Sequence, residues 1–235
     1  MDREIRMFED YVKDFDRSNP KIDYKHKHTY RVVSYAKQVA ESLNLSKEEF
    51  NRASVCALFH DIGRFPQLRE FNTYSDINSI DHGDKGYEVL NELGYNDEIV
   101  KLAVKYHNKK DVPSFDELTD LHCKLVRDAD KLDIMIFFMN EKIDKDLLPD
   151  YSVVDLFREH KLLDNADKDT DFEEAIAPLV YIFDINFKKS IEILLEHDYL
   201  NKKLKLIRND KNKVLVNYIE EKLKEYIKER FDIIC

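Results

Sequence analysis

Five apolar stripes at helical spacing each carry an ionisable side chain, and that recurrence limits what this chain can fold into more than any other feature. His28 shares its stripe with Val32, Tyr35 and Val39; His60 with Ala53, Cys56 and Ala57; His82 with Val89, Leu90 and Leu93. His107 lies with Ile99, Val100 and Ala103, and Asp130 with Cys123, Val126 and Ile134. Residues three and four apart share a helix face, so all of these groups point inward. Asp61 follows His60 directly, giving the order H…HD…H…H…D. One buried charge left unpaired costs several kcal/mol, against a whole-protein stability of roughly 5–15 kcal/mol. Six inward ionisable groups therefore require a common partner, and divalent cations meet that requirement with the fewest atoms.

No stretch alternates with period two, and the chain of 235 residues has only four glycines, so the fold class is all-α. Helices are expected from Asp2 to Asp16, Tyr24 to Leu43, Ser46 to about Gly63, His82 to Leu93, Asn96 to about His107 and Leu118 to Phe138. Ser46 and Glu49 form a capping-box pattern, Asp81 and Asn96 are candidate caps, and Gly94 ends the helix before it. Phe65 to Ile80, with Pro66 and little periodicity, reads as a loop able to cover a site. Further on come Val153 to Leu163, a polar break at Asp164 to Thr170, a helix from Phe172 to about His197 kinked at Pro178, and a last helix from Lys211 to Phe231. No linker demands a second independent domain. The expectation is a single all-α domain over 1–235, with a core at about 22–140 and a helical extension at about 141–235.

A formal net charge of −10 argues against a general nucleic-acid or anionic-membrane surface. Cys56, Cys123 and Cys235 show no CxxC spacing, and no signal peptide or transmembrane-length run precedes them, which reads as a reduced, cytoplasmic protein. Cys56 and Cys123 are expected as small core residues.

Imidazoles mixed with carboxylates suit Fe, Mn, Co, Ni or Zn better than Ca, which prefers oxygen cages. The four thiolates of a structural zinc site are missing, so the pattern favours a catalytic centre with positions left for water and substrate. His26 lies on a different face from His28, and His122, His160 and His197 have no motif around them; these four are expected to be ordinary surface or core residues.

Here the sequence resembles the HD-domain superfamily of metal-dependent phosphohydrolases. His28, His60-Asp61 and Asp130 match its pattern; His28-Thr29-Tyr30-Arg31-Val32, Leu58 to Gly63 and Ala129-Asp130-Lys131-Leu132-Asp133 are similar to its motif segments. The likeness covers roughly residues 22 to 140. His82 and His107 resemble the extra histidines of dinuclear branches, such as the HD-GYP phosphodiesterases, diadenosine tetraphosphate hydrolases and mixed-valent di-iron oxygenases. The resemblance implies one ion on His28, His60, Asp61 and Asp130, and a second on His82, His107 and the other oxygen of a bridging Asp61. Arg64-Phe65-Pro66 stands after Gly63 in place of a Gly-Tyr-Pro signature, which weakens the case for cyclic dinucleotide cleavage.

The resemblance implies an HD-domain helical bundle with additional C-terminal helices, holding two divalent ions, Fe or Mn favoured and Co, Ni, Zn or Mg alternatives. The implied reaction is hydrolysis, by metal-activated water, of a phosphate ester or anhydride in a small nucleotide-like molecule. Asp61, Arg64 and Lys131 are the candidate catalytic residues, the two cations gripping non-bridging oxygens. Arg64 can equally cap a helix, Lys131 can equally be solvated, and Arg31 can equally hold a carboxylate in place. The alternatives are a di-iron oxygenase of the same superfamily and a non-catalytic nucleotide-binding module. The Lys/Glu-rich C-terminal helices suit a substrate cover, a homo-oligomer contact or simply a solvated face.

Overall fold

The computed structural model describes residues 1–163 and 168–235, and among them there is no strand. The protein is all-α. Its helices fall into two compact units, Met1–Asp133 and Ile134–Cys235.

The first unit carries α1 (Asp2–Val12), α2 (Pro20–Ser42), α3 (Lys47–Phe59), α4 (Arg64–Phe71), α5 (His82–Glu92), α6 (Glu98–Tyr106) and most of α7 (Glu117–Phe137). Local chemistry sets their starts. The Asn19 side chain accepts from Lys21 N ahead of α2, with Pro20 at the first helical position, where its missing N–H costs nothing. Asp81 accepts from Asp84 N at the head of α5. Asp97 rather than Asn96 caps α6, accepting from Val100 N. Only half of the expected capping box forms at α3: Ser46 accepts from Glu49 N, but the Glu49 carboxylate turns instead to Arg52 and His122.

The stretch from Phe65 to Ile80 is not one loop. Nearly half of it, up to Phe71, belongs to α4, and Pro66 is tolerated because first-turn N–H groups have no intrahelical acceptor to lose. The loop proper is 72–81, entered through Asn72 in the left-handed region at φ 51°. α2 packs on α3, α5 on α6, and α3 on α6. Phe8, Val32, Ala36, Cys56, Phe59, Ile62, Phe65, Leu90, Val104, Leu125 and Leu132 are buried between these helices. Each fully buried large side chain contributes about 1.5–3 kcal/mol, and together they hold the inner helix ends in register.

The close approach of α5 to the α3–α4 turn depends on glycine. A Cβ on Gly63 would lie 2.1 Å from the His82 carbonyl oxygen and 2.6 Å from Gly86 N, distances no side chain permits. That approach brings the start of α5 beside the end of α3.

The second unit takes the end of α7 and carries α8 (Val154–Glu159), α9 (Asp171–Val180), α10 (Lys188–Glu196), α11 (Tyr199–Ile207) and α12 (Lys213–Phe231). Phe157, Phe172, Leu179, Tyr199, Leu204, Ile219 and Leu223 form its core. The helix expected from Phe172 to His197 is broken. α9 ends two residues past Pro178, whose missing N–H weakens the last turn, and a 3-10 turn at Tyr181–Asp184 separates it from α10. α11 was not anticipated. Of the polar break at Asp164 to Thr170, residues 164–167 lie outside the described residues, while Thr170 forms a capping box with Glu173 at the head of α9. No described helix is long and apolar enough to cross a membrane.

Candidate metal centre

Five elements of the first unit deliver the six side chains to one place. His28 comes from the inner face of α2, His60 from the C-cap of α3, and Asp61 from the turn that follows. His82 is the first residue of α5, His107 the C-cap of α6, and Asp130 lies on α7. The four imidazoles and Asp61 are no more than 2% exposed. Asp130 keeps 17% of its side chain open.

Asp61 divides the centre in two. Its Oδ2 lies 3.4 Å from His28 Nε2 and 3.3 Å from His60 Nε2; its Oδ1 lies 3.5 Å from His82 Nε2 and 3.8 Å from His107 Nε2. Asp130 Oδ1 joins the first pair, 3.1 Å from His28 Nε2 and 3.7 Å from His60 Nε2. Two donor groups result, His28–His60–Asp130 and Asp61–His82–His107, each with its ligand atoms within 4.8 Å of one another.

Whether a cation fits is decided by the far side of each ring. His60 Nδ1 sits 2.7 Å from Ala57 O and His107 Nδ1 2.6 Å from Val104 O; a carbonyl only accepts, so each Nδ1 carries the proton. His28 Nδ1 meets Asp133 Oδ2 at 2.6 Å and His82 Nδ1 meets Asp76 Oδ2 at 2.7 Å, which fixes the same tautomer. In the neutral rings every Nε2 is then a lone pair. His28 and His60 present theirs 3.2 Å apart, and His82 and His107 theirs 3.1 Å apart. Facing lone pairs repel unless positive charge lies between them, and a divalent cation supplies it. The donor set, nitrogen and carboxylate without thiolate, fits a transition-metal ion.

The titration behaviour agrees. Burial and the charge on Lys25 both oppose protonation of His28, yet its bonds to Asp130, Asp133 and Asp61 prevail and lift it to about 9: the first half of the centre attracts positive charge. Burial pushes His82 down to about 4 and lowers His107 as well, keeping both as neutral donors. Asp61 stays ionised despite burial because Lys25, His60, His107 and His28 surround it, and Asp130 is likewise held well below the carboxylate range by His28 and His60. Burial alone would raise Asp76, but His82, Arg64 and Gln67 bring it to about 2.

Arg31 does hold a carboxylate, gripping Asp133 through Nε at 2.7 Å and a terminal nitrogen at 2.9 Å, so that Asp133 in turn aims His28. Arg64 binds the 72–81 loop: one terminal nitrogen donates to Gln67 Oε1, Tyr74 O and Asp76 Oδ1 at 2.6–2.7 Å, while its Nε lies 3.6 Å from Asp61 Oδ1 without a hydrogen bond. Lys131 follows Asp130 on α7 and is half-buried. His26 pairs with Glu9 and His122 with Glu49, while His160 and His197 end α8 and α10 in the second unit. The two internal cysteines are buried and form no disulfide.

Three groups escaped the sequence reading. Asp133 stands one helical turn after Asp130, a spacing that signals a shared face. Asp76 lies in the aperiodic loop, where no signal existed. Lys25, one turn before His28, donates to Asp61 Oδ2 at 2.6 Å while only 8% exposed; its position on the inner face of α2 was the clue.

The family model of the HD domain matches residues 26–135. Ribonuclease Y of Mycoplasmoides gallisepticum is 26% identical over 110 residues, which cover 45% of this chain and 18% of that protein. The chain thus spans well under a quarter of the curated relative it matches. No solved structure matches significantly. The matched span opens two residues before His28, closes five after Asp130 and encloses the whole donor set, so residues 26–135 of this chain are an HD domain, of the superfamily whose members are in general metal-dependent phosphohydrolases.

Proposed function

We propose that the chain hydrolyses a phosphate ester or anhydride of a small nucleotide-like molecule, using two divalent ions held by His28, His60, Asp61, Asp130 and by Asp61, His82, His107. One observation carries this reading: the two oxygens of Asp61 face two different imidazole pairs, so a single carboxylate is built to serve two cations. Divalent ions in such a pair supply Lewis acidity toward a phosphoryl oxygen and make water acidic enough to attack near neutral pH.

The protein's own residues do the rest. Asp133, Asp76 and the Ala57 and Val104 carbonyls lock the four imidazoles in the tautomer that exposes Nε2 inward. Burial keeps bulk water from the donor set. Arg64 holds loop 72–81 beside the centre through Asp76 and the Tyr74 carbonyl. The relative's name, a ribonuclease, is compatible with phosphoester chemistry. A net charge of −10 weighs against a long polyanion, however, and favours a small substrate drawn by local charge.

The test joins elemental analysis with a hydrolysis screen. Protein reconstituted with Mn or Fe is expected to bind two ions and to cleave at least one of a panel of nucleoside mono-, di- and polyphosphates and phosphodiesters, with equal rates in air and under nitrogen. Oxygen consumption with no hydrolysis would point to the oxygenase alternative. Tight nucleotide binding without turnover would point to the binding module.

A further inference from the structure

We propose that Lys25 is a substrate-gripping residue of this centre, its ammonium meeting a non-bridging phosphate oxygen; this rests on the phosphohydrolase reading above. Asp61 bears one basic group on each oxygen, Lys25 Nζ on Oδ2 and Arg64 Nε near Oδ1. The two differ in what else they do. Arg64 is committed to Gln67, Tyr74 and Asp76. Lys25 has three N–H donors and, among the described residues, uses one, on Asp61.

Its surroundings leave it little water. The residue is 8% exposed, and its ammonium lies 5.8 Å from the Tyr24 ring and 5.5 Å from the Tyr74 ring. A dehydrated ammonium between aromatic walls pairs more strongly with an anion than a solvated one does. The Tyr74 ring also has Lys21 and Arg64 within 6.0 Å, so loop 72–81 and the start of α2 make one cationic, aromatic wall next to the donor set.

Charge balance gives the ammonium its occupant. The carboxylates in contact with the centre are Asp61, Asp76, Asp130 and Asp133, and the fixed cations touching them are Lys25, Arg31 and Arg64. Four negative charges against three positive ones is nearly neutral. Each divalent ion would add two positive charges, and the one beside His28, His60 and Asp130 would draw on Asp61 Oδ2, the oxygen that Lys25 now holds. The loaded centre is therefore in cationic excess, with a buried ammonium in need of a new acceptor, and a phosphate supplies both the charge and the oxygen.

The experiment compares full-length, Mn-loaded wild type with Lys25→Gln, Lys25→Met and Lys25→Arg, each checked for folding by circular dichroism. Metal content is measured by elemental analysis and inorganic phosphate affinity by calorimetry. Where a substrate has been found, kcat and KM are measured too. Lys25→Gln and Lys25→Met are expected to keep both ions, to bind phosphate at least tenfold more weakly and to lose at least 100-fold in kcat/KM, and Lys25→Arg to recover part of both. Undiminished phosphate binding in the two neutral variants would overturn the role of Lys25 while leaving the phosphohydrolase reading intact. Loss of the ions in those variants would likewise overturn it, showing that Lys25 only shapes Asp61. If the wild type itself, with both ions bound, takes up no phosphate, the phosphohydrolase reading falls first and this inference with it.

Discussion

Replacing Asp61 by alanine tests the shared carboxylate in two independent ways. The wild-type Lys25–Asp61 pair is close, 2.6 Å, with side chains 10% and 2% exposed, so neither charge is well hydrated. Removing one member of a buried pair costs about 3–5 kcal/mol, mostly because the other is left without its counter-charge. In a domain of this size each kcal/mol moves Tm by about 2–4 °C; metal-free Asp61→Ala should therefore melt roughly 10 °C below metal-free wild type. The second variant isolates the cause: in Asp61→Ala/Lys25→Met the orphaned ammonium is gone, and about half of the loss should return. Metal content is the other readout. Both ions should leave together, since each half of the centre loses an oxygen. Differential scanning calorimetry in chelator and elemental analysis after reconstitution give the two answers. Retention of two ions, or a double variant no more stable than the single one, would refute the reasoning.

Further outcomes follow from the same geometry. Asp133→Asn removes the charge that aims His28 and engages Arg31, and should weaken the binding of the first ion by about 10–100-fold in a competitive metal titration, with the second less affected; equal weakening of both would contradict the division at Asp61. Gly63→Ala forces a methyl group into the His82 carbonyl and should cost at least about 3 kcal/mol in urea unfolding, and an unperturbed variant would show that α5 does not approach this turn. His82 is held down to about 4, so between pH 6.5 and 4 the unfolded chain takes up a proton that the folded protein refuses. Metal-free stability should accordingly fall with pH across that window by on the order of 3 kcal/mol. The fall should shrink in His82→Asn, and an identical pH profile in the variant would sink the assignment.

The centre was legible because its donors lie on periodic helices. Position in a helix determines direction, so His28, His82, His107 and Asp130 could be assigned an inward face from their apolar neighbours alone, and His60-Asp61 from the end of such a run. The supporting groups were harder to see, each for a definite reason. Lys25 and Asp133 do share faces with ligand candidates, but lysine and aspartate are ordinarily solvated, and only a shared partner explains their burial. Asp76 sits where the chain has no period, so nothing local forecasts that its carboxylate turns back to His82. Helix α4 was hidden by Pro66, a breaker anywhere but in a first turn. In the C-terminal unit Pro178 marked the weak point ahead of Tyr181, and the expected end near His197 agrees with the left-handed Asp198, but nothing in the apolar pattern signalled that α11 starts directly after it. Arg64 shows the limit of motif reasoning: its place beside the His-Asp pair was plain, whereas its commitment to loop 72–81 exists only once that loop is folded.

Anomalous diffraction from a crystal of the full chain soaked in Mn tests the central claim most directly. Two peaks are predicted, one bounded by His28, His60 and Asp130 and the other by His82 and His107, with Asp61 placing one oxygen on each. An absence of peaks at these side chains under saturating metal, or a single ion that leaves one imidazole pair unliganded, would contradict the account.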